Sequence, residues 1–184
     1  MKRTFKRSIR LSLSLALMLL FHLSAVAAEC VIGSTENTTQ YLPLAPAKEY
    51  VYSEIIYDAE SLSSISTGST IQKIGFQGAT TEAGAVEEFD LYIANSSLSQ
   101  APSEHSDLSA MQHVYSGALT LDKFDGMGTV FEVAFNEEFT YSGGSLHLVA
   151  IAKMVTGTCY FSYQKVANSV NFGYAEDQLY GSSY

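Results

Sequence analysis

Apolar and polar residues alternate along much of this chain, which is the pattern of β-strands with one buried face. Residues 88–94 show it most clearly, with Phe89, Leu91 and Ile93 on one side. The opposite side carries Glu88, Asp90 and Tyr92, so we expect Tyr92 to point away from the core. Similar patterns predict further strands at residues 50–57, 70–77, 129–135, 145–152, 158–164 and 169–174.

The segments between these strands have the composition of turns. Small and glycine-rich clusters occupy residues 66–68 and 142–144, and such clusters end strands. A helix of one or two turns fits only around Asp58–Ser64, and residues 95–110 form a long polar connection. Many short strands without alternating helices predict an all-β fold, an antiparallel sandwich or barrel, with one domain over residues 49–184.

The first 28 residues have the layout of a secretory signal peptide. Met1–Arg10 is basic, Leu11–Leu23 is a short apolar run, and Ala25-Val26-Ala27 offers small residues for cleavage. The apolar run is shorter than the roughly 20 residues of a membrane-spanning helix. We therefore expect residues 1–28 to be removed and the mature chain to be secreted, periplasmic or on the cell surface, without membrane insertion. Residues 29–48 are predicted to be an irregular N-terminal extension.

The charge of the mature part narrows the choice of partners. Residues 29–184 contain five lysines, no arginine and all 19 acidic residues, a formal charge of −14. Nucleic-acid binding needs clustered basic side chains that neutralise phosphates. A nucleic-acid partner is therefore not expected, and the same charge disfavours docking on anionic lipid.

Several stretches are similar, in order and spacing, to a family of secreted modules. The resemblance covers roughly residues 50–181 and is carried by YVYSEIIYDAESL (50–62), GSTIQKIGFQG (68–78), FDLYIAN (89–95) and GTVFEVAFNEEFTYSGGSLHLVAI (128–151). Together they resemble a jelly-roll-like β-sandwich module that recurs in secreted and surface adhesin-type proteins of Bacteroidetes bacteria. The chain departs from that module at Lys153-Met154, where an acidic run is usual. The resemblance implies a jelly-roll-like sandwich with a role in adhesion or recognition, and it implies no catalytic residues.

Catalytic signatures are absent from the sequence. There is no G-x-S-x-G elbow and no zinc motif. His147 lies in an otherwise apolar strand, where a hydrogen-bonded core histidine is expected, and His105 and His113 fall in or near the polar connection. The acidic pairs Glu87-Glu88 and Glu137-Glu138 would point to opposite faces of their strands. We therefore expect that the protein is not an enzyme.

Tyrosines are the best candidates for a binding site. Tyr92 faces outward, and Tyr174 and Tyr180 lie in a tyrosine-rich C-terminal third. Exposed tyrosines stack on sugar rings or anchor protein partners. The competing interpretation is that these rings pack against the second sheet or lie at strand ends.

Two further features have a structural interpretation. Asp122 and Asp125 precede Gly126 and are candidate ligands of a structural calcium ion; otherwise they are solvated turn residues. No other cofactor is expected. Cys30 and Cys159 allow one disulfide, which an exported chain would retain. The alternative is two unpaired thiols.

These observations leave three functional hypotheses. The first is an exported, noncatalytic recognition or adhesion module that binds a glycan or an extracellular protein. The second is a structural subunit of a surface fibre, similar to pilins that donate a strand to a neighbour, although the wide Cys30–Cys159 spacing departs from the short pilin disulfide loop. The third is a small secreted hydrolase, for which the sequence supplies no site.

Overall fold

The computed structural model of the protein describes residues 29–32, 43–45 and 48–161, together with the backbone of residues 170–175. In these ranges the chain forms eight strands and one 3₁₀ turn (Leu108–Ala110), without an α-helix. The strands are β1 (Tyr50–Tyr57), β2 (Thr70–Glu82), β3 (Gly84–Ser96), β4 (Gln112–Leu121), β5 (Gly128–Thr140), β6 (Ser145–Val155), β7 (Thr158–Phe161) and β8 (Val170–Ala175). The predicted all-β class is confirmed.

The strands form two antiparallel sheets. The larger sheet has the order β4-β3-β6-β1-β8, and the smaller has the order β5-β2-β7. Three of the pairings are nested, because β1 pairs with β8, β2 with β7 and β3 with β6. Nested pairs folded into two layers are the arrangement of a jelly roll. The remaining pairing of β4 is with its neighbour in sequence, β3, at the edge of the larger sheet. The prediction that the strand containing His147 is central is confirmed, since β6 lies in the middle of the larger sheet.

An aromatic cluster joins the two sheets. Phe89 comes from the larger sheet and meets Phe131 of the smaller sheet edge to face, with ring centroids 5.3 Å apart. Phe131 also stacks on Phe76 at 4.9 Å. All three side chains are buried within one continuous core that draws on both sheets. Burial of apolar side chains between the sheets supplies most of the free energy that holds a sandwich together.

The described part of the N-terminal extension packs against the sandwich. Leu44 has no exposed surface and belongs to the main core. The Ser53 hydroxyl on β1 donates a hydrogen bond to the carbonyl oxygen of Pro43 at 3.2 Å. Residues 43–45 contain no strand or helix, and the N-terminal extension at residues 29–48 stays a prediction. The predicted signal peptide, residues 1–28, lies outside the described residues.

The short helix considered around Asp58–Ser64 is a run of turns instead. The Asp58 carboxylate accepts a hydrogen bond from the Ser61 amide at 2.8 Å, three residues along the chain, which is the spacing of an N-cap bond. Leu62 then turns inward and is completely buried. Burial of one leucine fixes the loop without the regular bonds of a helix.

Candidate functional site

The outer faces of the two sheets differ in chemistry. On the smaller sheet, exposed polar pairs such as Lys73–Glu132 and Gln77–Thr129 join the strands. On the larger sheet, Tyr52 and Val149 are fully buried on the outer side and form a second apolar cluster. Partly buried side chains pack around them: Tyr50, Tyr92, Leu108, Met111 and Ile151. The second apolar cluster and its tyrosines make the outer face of the larger sheet the candidate functional surface.

Strand register aligns the main residues of this face in one row. His113 on β4 is opposite Tyr92 on β3, and Tyr92 is also opposite Val149 on β6. Val149 is in turn opposite Glu54 on β1. Neighbouring strands lie about 4.8 Å apart, so the row from His113 to Glu54 is roughly 14 Å long. The row has an accessible aromatic end and a buried acidic end.

The accessible end is an aromatic ridge made by Tyr92 and His113. Their rings stack with centroids 4.4 Å apart and planes inclined by 13°. His113 Nε2 lies 2.8 Å from Asp90 Oδ1, so this carboxylate orients the imidazole. The His113 side chain is 43 % exposed, and that of Asp90 is 31 % exposed. Partial burial, together with the negative charge of Asp90, raises the pKa of Tyr92, so its phenol stays neutral and able to donate.

A second polar pair lies further along the same face. Lys153 on β6 is opposite both Tyr50 on β1 and Glu88 on β3. Its ammonium donates to the Glu88 carboxylate at 2.8 Å, and this bond raises the pKa of Lys153. The face therefore presents aromatic surface beside carboxylates and an ammonium group that are partly exposed.

The buried end is covered by residues 97–107, which we call the strap. The strap follows β3 and leads into the 3₁₀ turn. The His105 ring meets Tyr52 edge-on, with centroids 4.0 Å apart. The Ser106 amide donates to the Tyr52 hydroxyl at 3.3 Å. Beyond the strap, Leu108 and Met111 pack on the same apolar cluster. The predicted polar connection therefore covers Tyr52 and Glu54 through His105 and Ser106.

Under the strap, three donors converge on the carboxylate of Glu54. The Tyr52 hydroxyl donates to Oε2 at 2.8 Å. His147 Nε2 and the Ser106 hydroxyl both bond to Oε1, the histidine at 2.5 Å. Because a carboxylate oxygen is an acceptor, His147 must carry its proton on Nε2. Glu54 has no exposed surface.

The ionisation of Glu54 follows from this environment. Burial opposes the charged form, while the hydrogen bonds from His147, Ser106 and Tyr52 favour it together with the charge of His147. The hydrogen bonds outweigh burial, and the pKa of Glu54 lies below its ordinary value of 4.5. Glu54 is therefore an anion at neutral pH.

Serine, histidine and an acid also make up the catalytic triad of hydrolases, but the connections here are different. In a triad the serine bonds to the histidine, which removes its proton, and the acid holds the other side of the ring. Here Ser106 and His147 both bond to the same oxygen of Glu54. The histidine nitrogen that would accept the serine proton faces the carboxylate. The three groups are therefore joined through one carboxylate oxygen, which is not the arrangement of a triad.

The side chains of the other two predicted binding residues, Tyr174 and Tyr180, fall outside the part of the chain that the structure describes. Tyr174 is in β8, where its backbone is opposite Val51. Tyr180 falls outside the described residues. Tyr92 faces outward, as its strand pattern predicts. Its role in binding stays a prediction.

The predicted calcium ligands lie in the connection between β4 and β5. Asp122 and Asp125 are both exposed. Among the described residues, no group of three or more histidine, cysteine, aspartate or glutamate side chains is arranged to hold a metal ion. Two aspartates would supply only part of the six to eight oxygen ligands that calcium takes. The calcium site stays a prediction.

The two cysteines have different environments. Cys159 is fully buried in the core, and burial raises the pKa of its thiol to about 11. Cys30 is exposed. The structure carries Cys159 as a thiol. The disulfide between Cys30 and Cys159 stays a prediction for the oxidised protein.

Sequence reasoning missed Glu54 as a site residue. The signal was present, because Glu54 is the only charged residue in the predicted strand YVYSEIIY. A lone carboxylate in an apolar strand needs buried partners or exposure at an edge. Tyr52 is two residues away, but His147 and Ser106 come from β6 and from the strap, so spacing along the chain does not reveal them.

Comparison of the chain with protein-family models, with curated proteins and with solved structures finds no match. Within the described part of the chain, no helix is long and apolar enough to cross a membrane.

Proposed function

We propose that this protein is an exported, noncatalytic recognition module that binds a glycan on the outer face of its larger sheet. The observation that carries the proposal is the aromatic ridge of Tyr92 and His113 with Asp90 beside it. Sugars present C–H groups that pack on aromatic rings and hydroxyl groups that bond to carboxylates and amines. The ridge and its neighbours Glu88 and Lys153 offer both kinds of contact on one partly exposed surface.

The chemistry of the buried cluster supports a binding role over a catalytic one. Glu54, His147 and Ser106 are joined to one another, and the described bonds of the Glu54 carboxylate are all made within the protein. A hydrolase needs an acid or base that reaches the substrate. The accessible groups are instead those that hold a ligand in place. Secretion is part of this proposal, supported by the signal-like segment of residues 1–28.

A glycan array probed with residues 29–184 tests the proposal. This fragment includes the compact unit of residues 31–184. We expect selective binding, and for Tyr92→Ala we expect the dissociation constant of the selected saccharide to rise at least tenfold, as for an aromatic anchor. Tyr160→Ala is the matched control, because Tyr160 is a partly buried tyrosine on the smaller sheet.

Running the array with calcium and again with chelator separates the ridge from a metal-dependent site. Binding at the ridge is expected in both conditions. Binding that disappears in chelator would move the site to a metal. The absence of any selected saccharide, or equal affinity of the Tyr92→Ala and Tyr160→Ala variants, would overturn the proposal.

A further inference from the structure

The hydrogen bonds under the strap depend on the protonation state of the Glu54 carboxylate. Three donors point at Glu54, which can receive them only as an acceptor. Two of the donors are fixed in strands: Tyr52 lies two residues from Glu54 in β1, and His147 lies in the central strand β6. The third, Ser106, is on the irregular strap. The hydrogen bond from Ser106 is therefore expected to break before the other two.

Protonation of Glu54 would weaken these bonds. A neutral carboxyl group carries a hydrogen on one oxygen, so the partner on that side must act as the acceptor, which a hydroxyl group does by rotating. Ser106 would lose its charged acceptor, and hydrogen bonds to charged groups are the stronger ones.

We propose that the strap is an acid-released cover: ionised Glu54 latches it over Tyr52, and protonation of Glu54 frees it. Release uncovers the Tyr52 ring, which the strap now buries completely. Tyr52 lies on the same face as the ridge, opposite Ile151, and Ile151 is opposite Asp90. Its exposure extends the aromatic surface across three strands. This last consequence rests on the proposed glycan-binding function, whereas release of the strap does not.

The other titratable groups around Glu54 are few and can be separated from it. His147 faces it from β6, Tyr52 from its own strand and His105 from the strap. On β8 the residue opposite Glu54 is Asn171, which does not titrate. The strap carries two acidic residues, Glu104 and Asp107. Glu104 is exposed, and Asp107 caps the 3₁₀ turn through the Ser109 amide at 2.9 Å. That bond lowers the pKa of Asp107 as well, so its variant is a necessary control.

Nuclear magnetic resonance of residues 29–184 between pH 7 and pH 3 tests the cover without any ligand. The carboxyl ¹³C shift of Glu54 reports its protonation, which we expect below pH 4.5. The protection factor of the Ser106 amide reports the strap, since this amide donates to Tyr52. We expect that protection factor to fall at least tenfold as Glu54 titrates. Amides of β6 should keep their protection over the same range.

Variants make the assignment specific. Glu54→Gln, which cannot ionise, should leave the Ser106 amide unprotected already at pH 7. Ser106→Ala removes only the strap's own side-chain bond and should do the same, which keeps the test valid if Glu54→Gln does not fold. Asp107→Asn should retain the transition. Protection of Ser106 that persists through the titration of Glu54, or that is lost only together with β6, would overturn the cover.

Because these readouts need no saccharide, the two proposals can fail separately. Loss of Ser106 protection in a protein that binds no glycan would leave the cover standing and remove the proposed function. If the protein binds a glycan but the strap stays closed in acid, the proposed function would stand and the acid-released cover would be overturned.

Discussion

Among single residues, Glu54 has the largest electrostatic cost to offset. A carboxylate without exposed surface loses its hydration, which costs several kcal/mol unless partners compensate. Tyr52, Ser106 and His147 supply that compensation through direct bonds. Removing the charge leaves those donors facing a group that no longer accepts them all.

Replacement of Glu54 by glutamine should therefore destabilise the protein in a pH-dependent way. At pH 7 we expect the free energy of unfolding to fall by about 3 kcal/mol, as when a buried pair loses one partner. The pKa of Glu54 is lower in the folded chain than the ordinary 4.5. Its ionisation therefore stabilises the fold above pH 4.5, and this contribution is lost as the pH falls through the folded-state value.

Urea unfolding at several pH values measures this difference. The gap between wild type and Glu54→Gln should narrow from pH 5 to pH 3. Glu88→Gln is the control, because the Glu88 side chain is 61 % exposed in its pair with Lys153 and should matter little. A gap that stays constant with pH would contradict the role given to Glu54.

Thr80 provides a test at a second buried polar group. Its side chain has no exposed surface, and among the described buried side-chain polar atoms Thr80 Oγ1 is the one without a hydrogen-bond partner. Thr80→Val keeps the shape and removes the hydroxyl, so we expect stabilisation by about 1 kcal/mol. Thr81→Val, at an exposed neighbour, should change stability by less. Lower stability of Thr80→Val in thermal unfolding would show that the hydroxyl has a partner in solution.

The strand pattern decided which single residues could be placed from the sequence. Alternation in residues 88–94 correctly predicts that Tyr92 faces outward, because side-chain direction in a strand is local information. The partners of Tyr92 and Glu54 are not local. They depend on the register of β3 and β1 against β6, and on a strap that crosses the sheet.

At the scale of elements, the junction of β2 with β7 depends on a glycine. A Cβ atom built on Gly78 would lie 2.0 Å from the carbonyl oxygen of Tyr160 and 2.9 Å from Phe161 Cα. Both are backbone atoms of β7 and cannot rotate away. The smaller sheet therefore closes only if position 78 has no side chain.

Gly78→Ala should consequently push β7 away from β2 and cost about 3 kcal/mol, the upper range for overpacking. Gly75 offers a control in the same strand, since its nearest contact for a Cβ atom is 3.5 Å to Thr129 Cγ2. Gly75→Ala should change stability by less than about 1 kcal/mol. Equal stability of the two variants in urea would contradict the close packing of β2 and β7.

Strand prediction succeeded where alternation is unbroken and failed at β4. The predicted strand at residues 50–57 has the observed bounds, and six of the seven other strands overlap predictions. In β4 the buried residues are Val114, Leu119 and Leu121. Their numbers change from even to odd along the strand, so the buried side chains do not follow one strict alternation. Register shifts against β3 cause that change, and a pattern of period two does not detect a strand that contains a bulge.

For the whole molecule, burial makes the two cysteines distinguishable. In the reduced, folded protein we expect iodoacetamide to label the exposed Cys30 and to spare Cys159, because burial raises the pKa of that thiol to about 11. Unfolding in denaturant should expose both. Rapid labelling of Cys159 in the folded protein would contradict its place in the core. Without reductant, protection of both cysteines would establish the predicted disulfide.

For the molecule as a whole, the outer faces of the two sheets carry different kinds of side chains. The smaller sheet carries exposed polar pairs on its outer face. The larger sheet carries tyrosines, the hydrogen-bonded Glu54 carboxylate and the strap. Both sheets contribute to one core. This difference between the outer faces follows from register and topology, and it was not predicted from the sequence.

The most direct test of this account is to map a bound saccharide on the sandwich. Amide shifts of residues 29–184 would be followed by nuclear magnetic resonance while the saccharide selected by the array is added. We expect the largest changes at Asp90, Tyr92, His113 and Ile151, on the outer face of the larger sheet. Changes centred on the smaller sheet, or the absence of any change, would contradict the assignment of that face as the binding site.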